Sequence, residues 1–166
     1  MSERVSLPSG GVVSEDDVAA TSDPLEESLT AIVHLDQNYG FTDDEVREIL
    51  RAEWSRCDAP AMVNDELLAL FRRAGYVSDC DERPTGELTI YRGTFGDDPR
   101  NGLSWTLDAS KAKWFARRGA RGLAAGPPTV WQATVDAAAI LGYFVERDEA
   151  EIIADPATLR GVVDRR

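Results

Sequence analysis

Apolar positions along the first half of the chain recur at helical spacing, and along the second half they alternate. After a stretch rich in Ser, Gly and acids, residues 1–22, which reads as a flexible arm, Leu25, Leu29, Ile32 and Val33 mark a first helix. Asp23 suits its N-cap, Pro24 its first position and Glu26 a capping box, and Asn38-Tyr39-Gly40 ends it. A second helix starts at Thr42 with Glu45 three residues on, and Phe41 and Val46 bracket that start as a hydrophobic staple. Val46, Ile49, Leu50 and Trp54 form its buried stripe. A third helix runs from Asn64 through Leu67, Leu68 and Phe71 to a stop at Gly75.

From Glu87 onward the period is 2. Strands are expected at Glu87–Arg92, Leu103–Leu107, Thr129–Val135 and Glu149–Ala154. One helix interrupts them, opening near Asp108 with Ala112, Phe115, Ala116 and Gly119 on one side; Gly126-Pro127-Pro128 is a loop. Helices followed by strands predict an α+β domain over residues 23–166, with helices in 23–76 and a β-rich part in 87–166.

Composition narrows the class. With 166 residues, 43% of them apolar, the chain is long enough for one core and too short for two. No apolar run approaches a membrane span, and the N-terminus lacks the basic start and apolar stretch of a signal peptide. Cys57 and Cys80, with His34 as the single histidine, make no recognisable metal site and read as inert, reduced thiols. A cytoplasmic protein without metal is the expectation. The net charge of −12 argues against general binding to nucleic acid or anionic membrane. That charge is uneven: residues 1–27 hold seven acids and one base, whereas Lys111, Lys113, Arg117, Arg118 and Arg121 fall within eleven residues. Such a patch serves as a solvated helix face or as a holder of phosphate.

Three short patterns carry candidate chemistry. In the strand ending Tyr91-Arg92-Gly93, Arg92 continues the face of Leu88 and Ile90, so it enters partly buried surroundings and needs an anionic partner. In Leu103-Ser104-Trp105-Thr106-Leu107, the two hydroxyls share the face opposite the apolar residues. In Glu149-Ala150-Glu151 a strand would set both carboxylates on one face roughly 7 Å apart, close enough for each to raise the other's pKa. Each pattern alone is ordinary: a structural ion pair, a half-solvated strand, a surface charge pair.

Their order is less ordinary. Tyr91-Arg92-Gly93, then Gly102-Leu103-Ser104-Trp105-Thr106, then Glu149-Ala150-Glu151 resembles the mono-ADP-ribosyltransferases of the Arg–Ser–Glu class, small bacterial or phage members included. The helix carrying Trp114-Phe115-Ala116 is similar too, and the resemblance covers residues 87–155. It departs from the family's pattern in the short interval from Ser104 to Glu151, in Trp105 within the middle motif, and in the brief Tyr143–Asp148 segment where a target-recognition loop belongs.

The resemblance implies a split β-core with the helices beside it, NAD as co-substrate and a macromolecular acceptor, with protein arginine indicated by the two glutamates. It makes Glu151 catalytic, holding the ribose and countering the charge of an oxocarbenium-like state, with Ser104 orienting it and Glu149 positioning or deprotonating the acceptor. Arg92 would meet the phosphates or the adjoining ribose, Gly93 would let the backbone approach the ligand, and Thr106 would support the cleft wall. Arg117, Arg118 and Arg121 could guide the phosphates, and Tyr143 or Phe144 could contact a target. An inactive interaction module and an NAD glycohydrolase are the alternatives. A glycoside hydrolase is disfavoured, because carboxylates adjacent on one strand cannot flank a glycosidic bond. A role as toxin, defence factor or phage effector fits the resemblance.

Overall fold

The computed structural model describes residues 24–56, 65–96, 98–119 and 126–165. The arm, the expected N-cap Asp23, Cys57, Asn64 and Arg121 lie outside what is described. Three helices open the fold: α1 (Pro24–Tyr39), α2 (Asp43–Glu53), continued by a 3-10 turn at Trp54–Arg56, and α3 (Asp65–Ala74). The start of α2 follows from its sequence. The Glu45 carboxylate accepts from the Thr42 amide (2.8 Å), and Thr42 Oγ1 accepts from the Glu45 amide (3.3 Å), a reciprocal cap. Gly40 (φ 67°) and Gly75 (φ 72°) end α1 and α3 in the left-handed conformation that glycine adopts without strain. His34 is exposed on α1.

Seven strands follow: β1 (Val77–Ser78), β2 (Glu87–Phe95), β3 (Ser104–Thr106), β4 (Pro128–Asp136), β5 (Gly142–Phe144), β6 (Glu151–Ile153) and β7 (Arg160–Asp164), with α4 (Ala109–Gly119) between β3 and β4. They form one mixed sheet in the order β1-β5-β6-β3-β2-β4-β7. The expected split is therefore not a division into two sheets. The sheet has instead a narrow joint: β2 and β4 register over their full length, whereas β2 and β3 register at one pair, Tyr91 opposite Thr106. Three strands escape the periodicity reading. β1 and β5 are too short to alternate visibly, and β7 contains Gly161 at φ 57°.

Register fixes what shares a face. Thr106 stands opposite both Tyr91 and Glu151, so Tyr91, Gly93, Ser104, Thr106, Glu151 and Ile153 look to one side; Arg92, Trp105 and Ile152 look to the other. The first side is covered by helices. Phe144 and Ile153 join Leu29, Val46, Leu50, Trp54 and Phe71 in one core, and α4 crosses β2. The second side builds a separate core around Ile90, Trp105, Val135 and Ile152. Among the described residues no helix is long and apolar enough to cross a membrane.

Candidate active site

Glu151 opens β6 with Thr106 of β3 opposite on one flank and Phe144 of β5 opposite on the other. Only 8% of the residue is exposed. A carboxylate in that position must be held by donors or give up its charge. Ser104 Oγ donates to Oε1 at 2.5 Å. Burial is the stronger influence and pushes the Glu151 pKa up to about 7. Ser104, the nearby Trp54 side chain and Arg147 pull it down, while Glu149 pushes it further up.

Glu149 does not sit on the strand. β6 begins at Glu151, and Ala150 has φ 44°, so the expected in-strand alternation of the two glutamates is replaced by a bent loop. Asp148, at φ 54°, is the second residue of this loop in the left-handed region. Hydrogen bonds over-determine the loop, as such strain requires. Thr106 Oγ1 donates to the Glu149 carbonyl at 2.6 Å, the Leu107 amide donates to the Ala150 carbonyl at 3.0 Å, and Asp79 accepts from the Val145 and Glu146 amides. The Glu149 carboxylate lies 3.5 Å from Arg147 Nε, and Lys111 of α4 reaches Asp148 at 3.8 Å.

The remaining expected site residues have structural assignments of their own. Arg92 Nη1 donates to the Ser104 carbonyl at 2.5 Å, tying β2 to β3 beside the single Tyr91–Thr106 pair. Its guanidinium lies against Gly102, whose missing side chain leaves the room for it. Gly93 faces no ligand space: α4 fills the position of its absent Cβ, with the Ala112 carbonyl and the Ala116 amide against it. Glycine there serves helix-on-sheet packing. Thr106 is buried and its hydroxyl is committed within the protein, donating to Glu149 and accepting from the Asp108 amide at 3.0 Å. It props the loop rather than offering a group to a ligand.

Together the structure groups Glu151, Ser104, Trp54, Glu149 and Arg147, with Arg92 reaching the same strand through Ser104. Ser104, Arg92 and Glu149 are half-buried around the more deeply buried Glu151. Of the basic cluster, Lys113, Arg117 and Arg118 are exposed on α4, with Arg118 over the Trp114 ring at 5.1 Å. Tyr143 lies on the opposite face of the sheet, and Phe144 is core. Two surface grooves flank the Pro99–Asn101 turn, one of about 490 Å³ lined by Arg72, Arg100 and Asp155, the other of about 290 Å³ lined by Arg100 and Trp131. Glu151 and Ser104 line neither of them. Among the described residues no group of three or more His, Cys, Asp or Glu side chains could hold a metal.

Three contributors escape the sequence reading. Trp54 looks like any other apolar position of a helical stripe, and nothing in its spacing says that its side chain acts on the Glu151 carboxylate. Asp79 acts 66 residues away from the amide it caps. Gly102 stands within the quoted motif, but its reason is an arginine on a neighbouring strand. Compared with protein-family models, curated proteins and solved structures, the chain matches none.

Proposed function

We propose that this chain is a mono-ADP-ribosyltransferase that cleaves the nicotinamide–ribose bond of NAD and passes ADP-ribose to a macromolecular acceptor, with protein arginine as the acceptor favoured by its two glutamates. The observation that carries the reading is the 2.5 Å hydrogen bond from Ser104 Oγ to a buried Glu151. The Arg92 guanidinium bonded to the carbonyl of that same serine supports it.

In this reading the glycosidic C–N bond breaks with its electron pair going to nicotinamide, leaving positive charge shared between C1′ and the ring oxygen of the ribose. An ionised Glu151 opposes that charge and holds a ribose hydroxyl, so its stabilisation grows as the bond stretches. Ser104 fixes the carboxylate before the charge develops. The acceptor nitrogen then attacks C1′, and its proton goes to Glu149, whose side chain is otherwise paired with Arg147. Water in place of the acceptor yields free ADP-ribose, the glycohydrolase outcome. Arg92 offers a planar, bidentate cation for the diphosphate.

The test is NAD labelled on its adenylate, incubated with the purified protein alone and with bacterial lysate, beside a Glu151→Gln variant. Label on a macromolecule with the unaltered protein only is the expected result. Free ADP-ribose without transfer moves the reading to a hydrolase. Absence of both consumption and binding of NAD overturns it and leaves an interaction module of the same architecture.

A further inference from the structure

Two turns of the fold are built to one plan, and each aspartate that caps them holds an arginine. Asp98-Pro99 and Asp155-Pro156 open the 3-10 turns Pro99–Asn101 and Pro156–Thr158, with the aspartate as N-cap. Asp98 Oδ1 accepts from the Arg100 amide at 2.9 Å and from Arg100 Nε at 3.2 Å. Asp155 Oδ1 accepts from the Ala157 amide at 2.9 Å, and its Oδ2 accepts from Nε of Arg72, on α3, at 2.8 Å. The cap fixes the carboxylate, and the carboxylate fixes the arginine through Nε alone. Nη1 and Nη2 of both guanidinium groups bond to no described residue. Those outer nitrogens are the ones that can grip an oxyanion. Both arginines are exposed, and both line the groove of about 490 Å³, together with the apolar Leu68, Pro156 and Ala157.

We propose that this groove binds a small organic phosphate, its phosphate oxygens between Arg72 and Arg100 and its organic part along Leu68, Pro156 and Ala157. Two guanidinium forks favour phosphate over carboxylate. A carboxylate has two oxygens and is satisfied by one fork, whereas a phosphate has oxygens enough for both. Charge narrows the class further. The aspartates that hold the two arginines balance them, and Asp65 at the start of α3 lines the same groove. A phosphate carrying one negative charge therefore suits the groove better than a dianion. The volume is in the range that encloses a small molecule. Neither Glu151 nor Ser104 lines the groove. Asp155 lies four residues past Glu151, roughly 13 Å of extended chain, so this site is separate and does not rest on the chemistry proposed for Glu151.

The test titrates the full chain with inorganic phosphate and with phenyl phosphate, at constant ionic strength and slightly acidic pH. Arginine Nε–H signals are followed in ¹H–¹⁵N spectra, those of Arg72 and Arg100 being identified by their loss in Arg72→Gln and Arg100→Gln. Both signals are expected to shift saturably with each ligand, while that of Arg117, exposed on α4, stays in place. Phenyl phosphate should saturate at the lower concentration, because its ring covers the apolar lining. Each arginine variant should abolish saturation at the arginine that remains. Asp65→Asn removes an opposing charge from an exposed position and should lower the half-saturation concentration, a gain that misfolding cannot mimic. No saturable shift, an equal response at Arg117, or an unchanged affinity in Asp65→Asn would each overturn the proposal. Saturation by acetate as readily as by phosphate would overturn the choice of phosphate, and equal affinity for the two phosphates would overturn the organic ligand. None of these readouts needs NAD, so the site stands or falls apart from the reaction proposed at Glu151.

Discussion

The Arg92 guanidinium occupies the space that a side chain on residue 102 would need: a Cβ there would overlap Nη2 and Cζ. Gly102 immediately precedes β3, and Arg92 belongs to β2, whose ladder to β3 has one registered pair. The arginine thus acts as a side-chain rung across the weakest joint of the sheet, donating to the Ser104 carbonyl while Ser104 Oγ donates to Glu151. Position 102 sets where that guanidinium can lie.

Gly102→Ala should separate stability from binding. The obstructing atoms are the far end of a flexible side chain, so Arg92 moves aside and melting changes little, by about 1 kcal/mol or less. The bond to Ser104 is lost in the process. NAD affinity measured by calorimetry should fall toward that of Arg92→Ala, with a melting temperature close to that of the unaltered protein. Retained affinity would remove Arg92 from the ligand's surroundings.

Gly93→Ala meets a different obstacle. Its Cβ would lie 2.6 Å from the Ala116 amide and overlap the Ala112 carbonyl, and both are helix backbone. α4 cannot yield as a side chain can, so the helix must lift from β2. A cost of roughly 3 kcal/mol is expected from overpacking of this kind, or a melting temperature lower by roughly 6–12 °C for a chain of this size. Thermal denaturation followed by circular dichroism checks it, with the exposed Lys113→Ala on the outer face of α4 as the neutral comparison.

What could be read from the chain and what could not divides along one physical line. The α2 cap at Thr42 and Glu45, the helical stripes and the long strands β2 and β4 are local patterns and appear where expected, β4 one residue longer at each end and β2 running three residues past Arg92. The contact of Ser104 with Glu151 also follows from strand faces once their registers align. The purpose of Gly93 does not, because a glycine freed for a ligand and a glycine freed for a helix look identical in sequence. Glu149 defeats the alternation rule because Ala150 takes a left-handed φ, a choice enforced by Thr106 and Leu107 from another strand. Trp54 is the same case: its neighbours in space are 17 and more residues away in sequence.

The raised pKa of Glu151 links activity to stability with opposite signs. Burial lifts it to about 7 from its usual 4.5. Between those values the folded chain keeps a proton that the unfolded chain has released, so stability falls as pH rises through the window and levels off above it. The full effect is roughly 3 kcal/mol for a shift of this size. Glu151→Gln cannot ionise. Its melting temperature should therefore gain on that of the unaltered protein from pH 5 to pH 8, and NAD turnover by the unaltered protein should rise over the same range. A constant difference in melting temperature would show that Glu151 ionises normally.

Thr106 offers the sharpest separation of the loop from the carboxylate it carries. Its hydroxyl donates to the Glu149 carbonyl and accepts from the Asp108 amide, and it is 5% exposed. Thr106→Val keeps the shape and removes both bonds, leaving a buried carbonyl and an amide unsatisfied at a cost of about 2 kcal/mol. Thr106→Ser keeps the oxygen and should recover most of that loss. The Asp108 amide should exchange faster with solvent in the valine variant only. Glu151 keeps its Ser104 donor, so NAD cleavage should persist, while release of the Glu149 backbone should shift the products from transferred ADP-ribose toward free ADP-ribose. Equal loss of cleavage and transfer would mean that the loop orients Glu151 as well as Glu149, and the division of labour between the two glutamates would fall.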